Sequence, residues 1–170
     1  MRKNKLFIFI ILFLLIFTKA AYSIDKIAIL DLDSLLEKTN YGKKIIADLN
    51  SLNEQNLKSL QKIEAEIKFN QENIKKQKNL LSEEELAKKV NKLNSDIIEF
   101  QKTKKNLVSN FNVQKKNKLD EYFKMIIPEI EKYINEKDIT LVVDKKNIFI
   151  ANKKNNITDE IVRIIDEKLK

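Results

Sequence analysis

A chain of 170 residues carries 33 basic and 25 acidic side chains, a net charge of +8, with one glycine, one proline and neither cysteine nor histidine. Lacking Cys and His, it cannot assemble the common zinc sites, a thiol nucleophile or a Ser-His-Asp triad. A single Gly likewise excludes the glycine-rich loops that cradle phosphates, and the plentiful Asp and Glu alternate with Lys as solvated helix surface does.

The first 23 residues have the marks of a cleavable export signal. Arg2, Lys3 and Lys5 precede a 12-residue apolar run, Leu6–Phe17, and Ala21-Tyr22-Ser23 places small residues where a signal peptidase cuts. Such a run falls short of the roughly 20 residues a membrane-spanning helix needs. Arg2, Lys3, Lys5 and Lys19 are the only charged residues before Ile24, so removing them lowers the net charge from +8 to +4. That excess suits contact with anionic surfaces and is far from a nucleic-acid footprint. The exported part must also stand without disulfides.

Lys26–Leu30 (KIAIL) is apolar on both faces and predicts a strand buried on both sides. Asp33 or Ser34 is placed to cap a helix starting at Leu35 and running to a joint at Gly42. From Lys43 to Ile127 there are 85 residues without Gly or Pro. Those residues cost a helix interior about 1 and 3 kcal/mol, so their absence predicts very long helices. Ile45, Leu49, Leu52, Asn56, Leu60, Ile63, Ile67, Asn70 and Ile74 recur near a 3.5-residue period. This is a narrow seam for one partner helix, with the asparagines setting register at some cost in packing.

Leu80–Glu84 predicts the turn. Ser82 and Glu85 have capping-box spacing, and Glu83 and Glu84 suit the positive end of a new helix. A second stripe follows: Leu86, Val90, Leu93, Ile97, Phe100, Lys104, Leu107 and Phe111. With so short a connection the helices must run antiparallel, as a hairpin arm reaching roughly 55–65 Å. Pro128 predicts a bend between arm and base. Ile139–Asp144, the turn Lys145-Lys146-Asn147 and Ile148–Asn152 predict a β-hairpin. Thr158 is expected to cap a last helix with Ile161, Ile164, Ile165 and Leu169 on one face.

The fold class expected is therefore mostly α with a small β body. A signal at 1–23 precedes a body at 24–42 and 128–170, with the coiled-coil arm at 43–127. A body of about 60 residues is marginal alone, and its strand edges need cover. Both facts predict an oligomer built through Ile27, Ile29, Leu30, Leu141, Val142, Val143, Ile148, Phe149 and Ile150.

The succession of KIAI strand, lysine-rich hairpin, DITLVVD strand and terminal ITDEIVRIIDEKLK helix resembles the Skp/OmpH family of periplasmic chaperones. The resemblance spans the whole exported part and is specific at its ends: Lys26–Leu30, Asp138–Asp144 and Ile157–Lys170. It implies a homotrimer with three helical arms hanging from a shared β body. It also implies an ATP-independent, cofactor-free holdase for unfolded outer-membrane proteins in a Gram-negative periplasm, passing clients to the barrel-insertion machinery. The family's lipopolysaccharide-binding patch, or contact with an anionic membrane surface, has Lys104, Lys105, Lys115 and Lys116 as nearest counterparts. These do not align with the family's positions, and a solvated helix face is the favoured reading of them.

Under the same resemblance, Phe69, Leu80 and Leu81 lie off the stripe or at the turn and are the better candidates for client contact. Ile74, Leu86, Val90 and Phe100 are candidates too, although seam packing is favoured for them. Binding by many weak contacts would be multivalent. The alternative is an exported coiled-coil spacer that binds no client; it calls for a continuous heptad seam and an anchor at one end. Nucleic-acid binding is disfavoured by export and the small excess charge, and an enzyme by the missing chemistry.

Overall fold

The structure, a computed structural model, describes residues 26–169. The export signal expected at 1–23 lies outside the described residues. Strand β1 (Ile27–Leu30) pairs in parallel with β2 (Leu141–Asp144), Ile27 opposite Leu141 and Leu30 opposite Asp144. On its other side the Ile29 carbonyl accepts from Ile157 N at 2.9 Å, beside a bridge to Asn156. Covered on two sides, Ala28, Ile29 and Leu30 are buried as the apolar run requires. Parallel strands need a crossover connection, and the whole helical arm is that crossover.

Helix α1 (Leu32–Lys38) starts earlier than expected because its cap is Asp31, whose Oδ1 accepts from Ser34 N at 3.0 Å. The joint with α2 (Asn40–Gln77) falls at Thr39 rather than Gly42. Thr39 Oγ1 donates to Leu35 O at 2.8 Å and accepts from Gly42 N at 3.2 Å, so one hydroxyl ends α1 and starts α2. Asp166 Oδ1 accepts from Asn40 N at 2.7 Å and covers another free donor there. Gly42 serves close packing: a Cβ there would lie 2.0 Å from the Leu36 carbonyl oxygen.

The turn sits where Ser82 and Glu85 require it. Glu85 N donates to Ser82 Oγ at 3.3 Å, Ser82 N donates to Glu85 Oε2 at 3.2 Å, and α3 (Glu83–Glu136) begins. The Ser82 hydroxyl, which donates to Oε2 at 2.8 Å, and then the Ser82 amide hold the Glu85 carboxyl below the usual range. Helix α3 remains one element through Pro128. Pro128 and Lys124 are both exposed, so the turn of helix that the proline interrupts lies on the solvent-facing side. Beyond α3, Asp138 takes a φ of 50° and Ile139 N donates to Ile134 O at 3.0 Å, a Schellman ending.

The expected C-terminal β-hairpin does not form within the chain. Asp144 Oδ1 accepts from Lys146 N at 3.1 Å and turns Lys145–Asn147 into a 3₁₀ turn. Lys-Lys-Asn lacks the Gly that three-residue hairpin loops favour at their left-handed position, and Ile148–Asn152 leaves β2 without pairing to it. Helix α4 (Thr158–Lys168) also differs at its start. Asn156 Oδ1 accepts from Thr158 N at 3.0 Å, while Thr158 Oγ1 accepts from Asp31 N at 3.0 Å. Thr158 therefore ties α4 to β1 instead of capping its own helix.

The core lies where these pieces meet. Leu35, Ile45, Leu49, Tyr122, Ile126, Ile161 and Ile165 pack on Ala28 and Leu30. Asp31 gathers the periphery, since its Oδ2 also accepts from Lys145 Nζ at 2.7 Å. The Lys145 bond, then the Ser34 amide, lower its pKa from 3.8 to about 2. The stability it adds is thus complete above its unfolded-state pKa of ~3.9 and lost as pH falls toward 2. Asp31→Asn keeps a capping oxygen and is expected to cost up to about 1 kcal/mol at neutral pH. Urea titrations should show the gap from wild type closing between pH 4 and about 2. Gly42→Ala is expected to cost about 2 kcal/mol or more, because backbone, not a movable side chain, occupies the space.

Candidate functional site

Helices α2 and α3 run antiparallel in one fixed register. Lys89 Nζ donates to Gln77 Oε1 at 2.7 Å near the turn, and Lys118 Nζ to Asp48 Oδ2 at 2.8 Å near the body. The same number of residues separates the two pairs on each helix, so the seam does not slip. The Asp48 carboxylate raises the pKa of Lys118.

Every position of the stripe foreseen on α2, from Ile45 to Ile74, is buried or half-buried. On α3 Leu86, Leu93, Ile97, Phe100, Leu107 and Phe111 are half-buried, whereas Val90 and Lys104 turn outward. Asp96 and Thr103 hold seam positions instead. A stripe at 3.5 drifts against a 3.6-residue helix, and short polar side chains at the boundary give no hydropathy signal.

Of the residues singled out for client contact, the structure places Phe69 (64% exposed) and Leu80 (85% exposed) in solvent. Leu81, Ile74, Leu86 and Phe100 are half-buried along the seam and turn. Val90 lies at the seam's rim, 37% exposed. Sequence reasoning passed over further exposed apolar side chains on the arm: Leu57, Ile98, Val108 and Val113. Being off the stripe was the signal that could have found them, as it found Phe69. Their helix backbone is hydrogen-bonded within itself, so the arm offers apolar contact without a strand edge to template pairing.

The body presents a second apolar surface. Phe149 is fully exposed and Ile150 85% exposed, with Ile27 and Leu141 about half exposed. Val142, Val143 and Ile148 are half-buried, whereas Ile29 and Leu30 are buried in the chain's own core. The Ile148–Ala151 segment curls over a recess of about 320 Å³ beside Ile29. The four arm lysines do not converge. Lys104 and Lys105 lie roughly 16 Å along the axis from Lys115 and Lys116, and Lys116 is paired with Asp120.

The family model described as "Outer membrane protein (OmpH-like)" matches residues 26–165. The chain belongs to the OmpH-like family. Its fold is that of a candidate OmpH-like outer membrane chaperone from Caulobacter crescentus CB15, whose crystal structure aligns with a TM-score of 0.76 at 14% identity. The alignment covers 86% of each chain, so arm and body are both shared with this OmpH-like protein. Among curated proteins, none matches the chain.

Because Phe69 and Leu80 are mostly in solvent, Phe69→Ser and Leu80→Ser are expected to change unfolding free energy by less than about 0.5 kcal/mol. Ile126→Ala, in the core, is expected to cost about 2–5 kcal/mol. Urea unfolding followed by circular dichroism measures all three.

Proposed function

We propose that this OmpH-like chain is an ATP-independent periplasmic holdase. It assembles as a homotrimer through the body and holds unfolded outer-membrane β-barrel proteins between its helical arms. The observation that supports this most is the pairing of scattered, solvent-facing apolar side chains on the arm with an all-helical arm backbone that offers no strand edge. A barrel strand alternates apolar and polar residues, and small apolar contacts spaced along a rod suit such a chain. Charge complementarity adds to capture, the excess of basic residues favouring acidic clients. Release then comes from a destination that binds the client better, such as the barrel-insertion machinery.

Assembly through the body is supported by Phe149, Ile150, Ile27 and Leu141, and the number three by the resemblance to the Skp/OmpH chaperones. Exposed apolar side chains in a body this small call for cover, and a second and third copy supply it. The spacer reading shares the rod but gives no role to Phe69, Leu80 or Ile98.

Diluting a urea-unfolded outer-membrane barrel into the exported protein tests the holdase reading directly. Suppression of aggregation without ATP, at a fixed ratio of oligomer to client, is the expected result. Phe69→Ser with Leu80→Ser and Ile98→Ser is expected to weaken suppression severalfold, since each exposed apolar contact contributes roughly 1–3 kcal/mol when covered. No suppression by the wild type would leave the spacer. Light scattering should give three chains per particle, falling to one for Phe149→Asp.

A further inference from the structure

The outer end of the arm differs from the rest in what holds its helices together. Ile67 is the outermost buried residue of α2, and α3 buries no residue completely between Glu83 and Glu121. Inward of Ile67 the half-buried seam is mostly apolar, with Leu52, Leu60 and Ile63 on α2 and Leu107 and Phe111 on α3 interrupted by Asn56 and Thr103. Outward of it the facing positions are Asn70, Asn73 and Gln77 on α2 against Lys89, Lys92 and Asp96 on α3. They surround a cleft of about 220 Å³ in which Ile74 and Leu93 are the only apolar side chains. A second cleft of about 300 Å³ continues inward past Ile67 and Phe100 and closes at Ile63 and Thr103. Side chains facing a gap forgo the dispersion contacts that a closed seam supplies.

Asp96 works against closure. Its side chain is only 28% exposed, and its cation, Lys92, sits one turn earlier on the same helix at 3.0 Å. Drawing α2 over it keeps a carboxylate partly dehydrated without a partner from across the seam; separation returns it to water. The cross-helix hydrogen bond seen at this level, Lys89 to Gln77, is exposed.

We propose that the distal arm, from Asn70 through the Ser82 turn to Asp96, opens as a local unit while the arm inward of Ile67 and Phe100 stays zipped. Opening splays the ends of α2 and α3 and uncovers Ile74, Leu86, Leu93 and Ile97. Under the holdase reading, on which this use of the opening rests, these side chains exchange their partner helix for an unfolded client. Seam packing and client contact are then two states of one set of residues.

Hydrogen exchange on the assembled protein, with no client present, tests the opening separately from the holdase reading. Helical segments this short are marginal once separated. Amides within 72–77 and 88–95 are therefore expected to exchange at least roughly tenfold faster than those within 52–66 and 102–111. Asn70→Leu with Asp96→Leu, which turns the facing pair apolar, is expected to slow distal exchange by roughly tenfold and leave the inner arm unchanged. Equal exchange along the wild-type arm would overturn the proposal. So would distal exchange that the double substitution does not move.

Discussion

Tyr122 fixes how the arm starts, and the rest of the architecture follows from it. The side chain is fully buried on α3, its hydroxyl 3.0 Å from Thr39 Oγ1 and its ring stacked on Tyr41 at 6.0 Å. Thr39 in turn ends α1 and caps α2. One contact therefore sets where α2 begins and which residue of α3 it begins beside. Burial raises the Tyr122 pKa, which keeps the phenol neutral as its paired hydroxyl requires. Two antiparallel helices locked at one end have no freedom of register further out, so the pairs at Asp48–Lys118 and Gln77–Lys89 are consequences of this anchor.

The body and the arm divide the chain's apolar surface between two kinds of use. Around β1 the apolar residues other than Ile27 are consumed internally, packed by α1, α2, α3 and α4. The leftover ones are segregated: Phe149 and Ile150 on the segment after β2, and Phe69, Leu80 and Ile98 along the arm. A cluster on a compact body suits a permanent partner, because burying it together stabilises one geometry. Isolated side chains spread along a rod suit an irregular partner, because each contributes little and none fixes a shape. The weakening of the seam toward the turn extends the same logic, since a loosely held end can change what it covers.

The arm was legible in the sequence because its signals are local and repeated. Eighty-five residues without a breaker, a 3.5-residue stripe and the Ser82–Glu85 box each depend only on near neighbours. The exposed candidates Phe69 and Leu80 were legible for the same reason, as apolar residues off the stripe. What escaped depends on contacts distant in sequence. Asp31, Asp33 and Ser34 are all competent caps, and the bonds to Thr158 and Lys145 favour Asp31. The joint at Thr39 rather than Gly42 is decided by Tyr122 and by Asp166, from the far end of the chain. The segment 148–152 carries strand-type residues, yet it pairs with no strand among the described residues. Polar seam members such as Asp96 and Thr103 leave no hydropathy trace at all.

The claim on which everything else stands is that the two long helices fold back on each other within one chain in this register. Spin labels placed at Asp48→Cys and Lys118→Cys measure it most directly, in a sequence with no other cysteine. Helices packed about 10 Å apart predict a label separation below about 25 Å, unchanged when labelled chains are diluted into unlabelled ones. A single rod continuing past Ser82 would hold the same residues roughly 100 Å apart, and that result, or a short distance that disappears on dilution, would contradict the account.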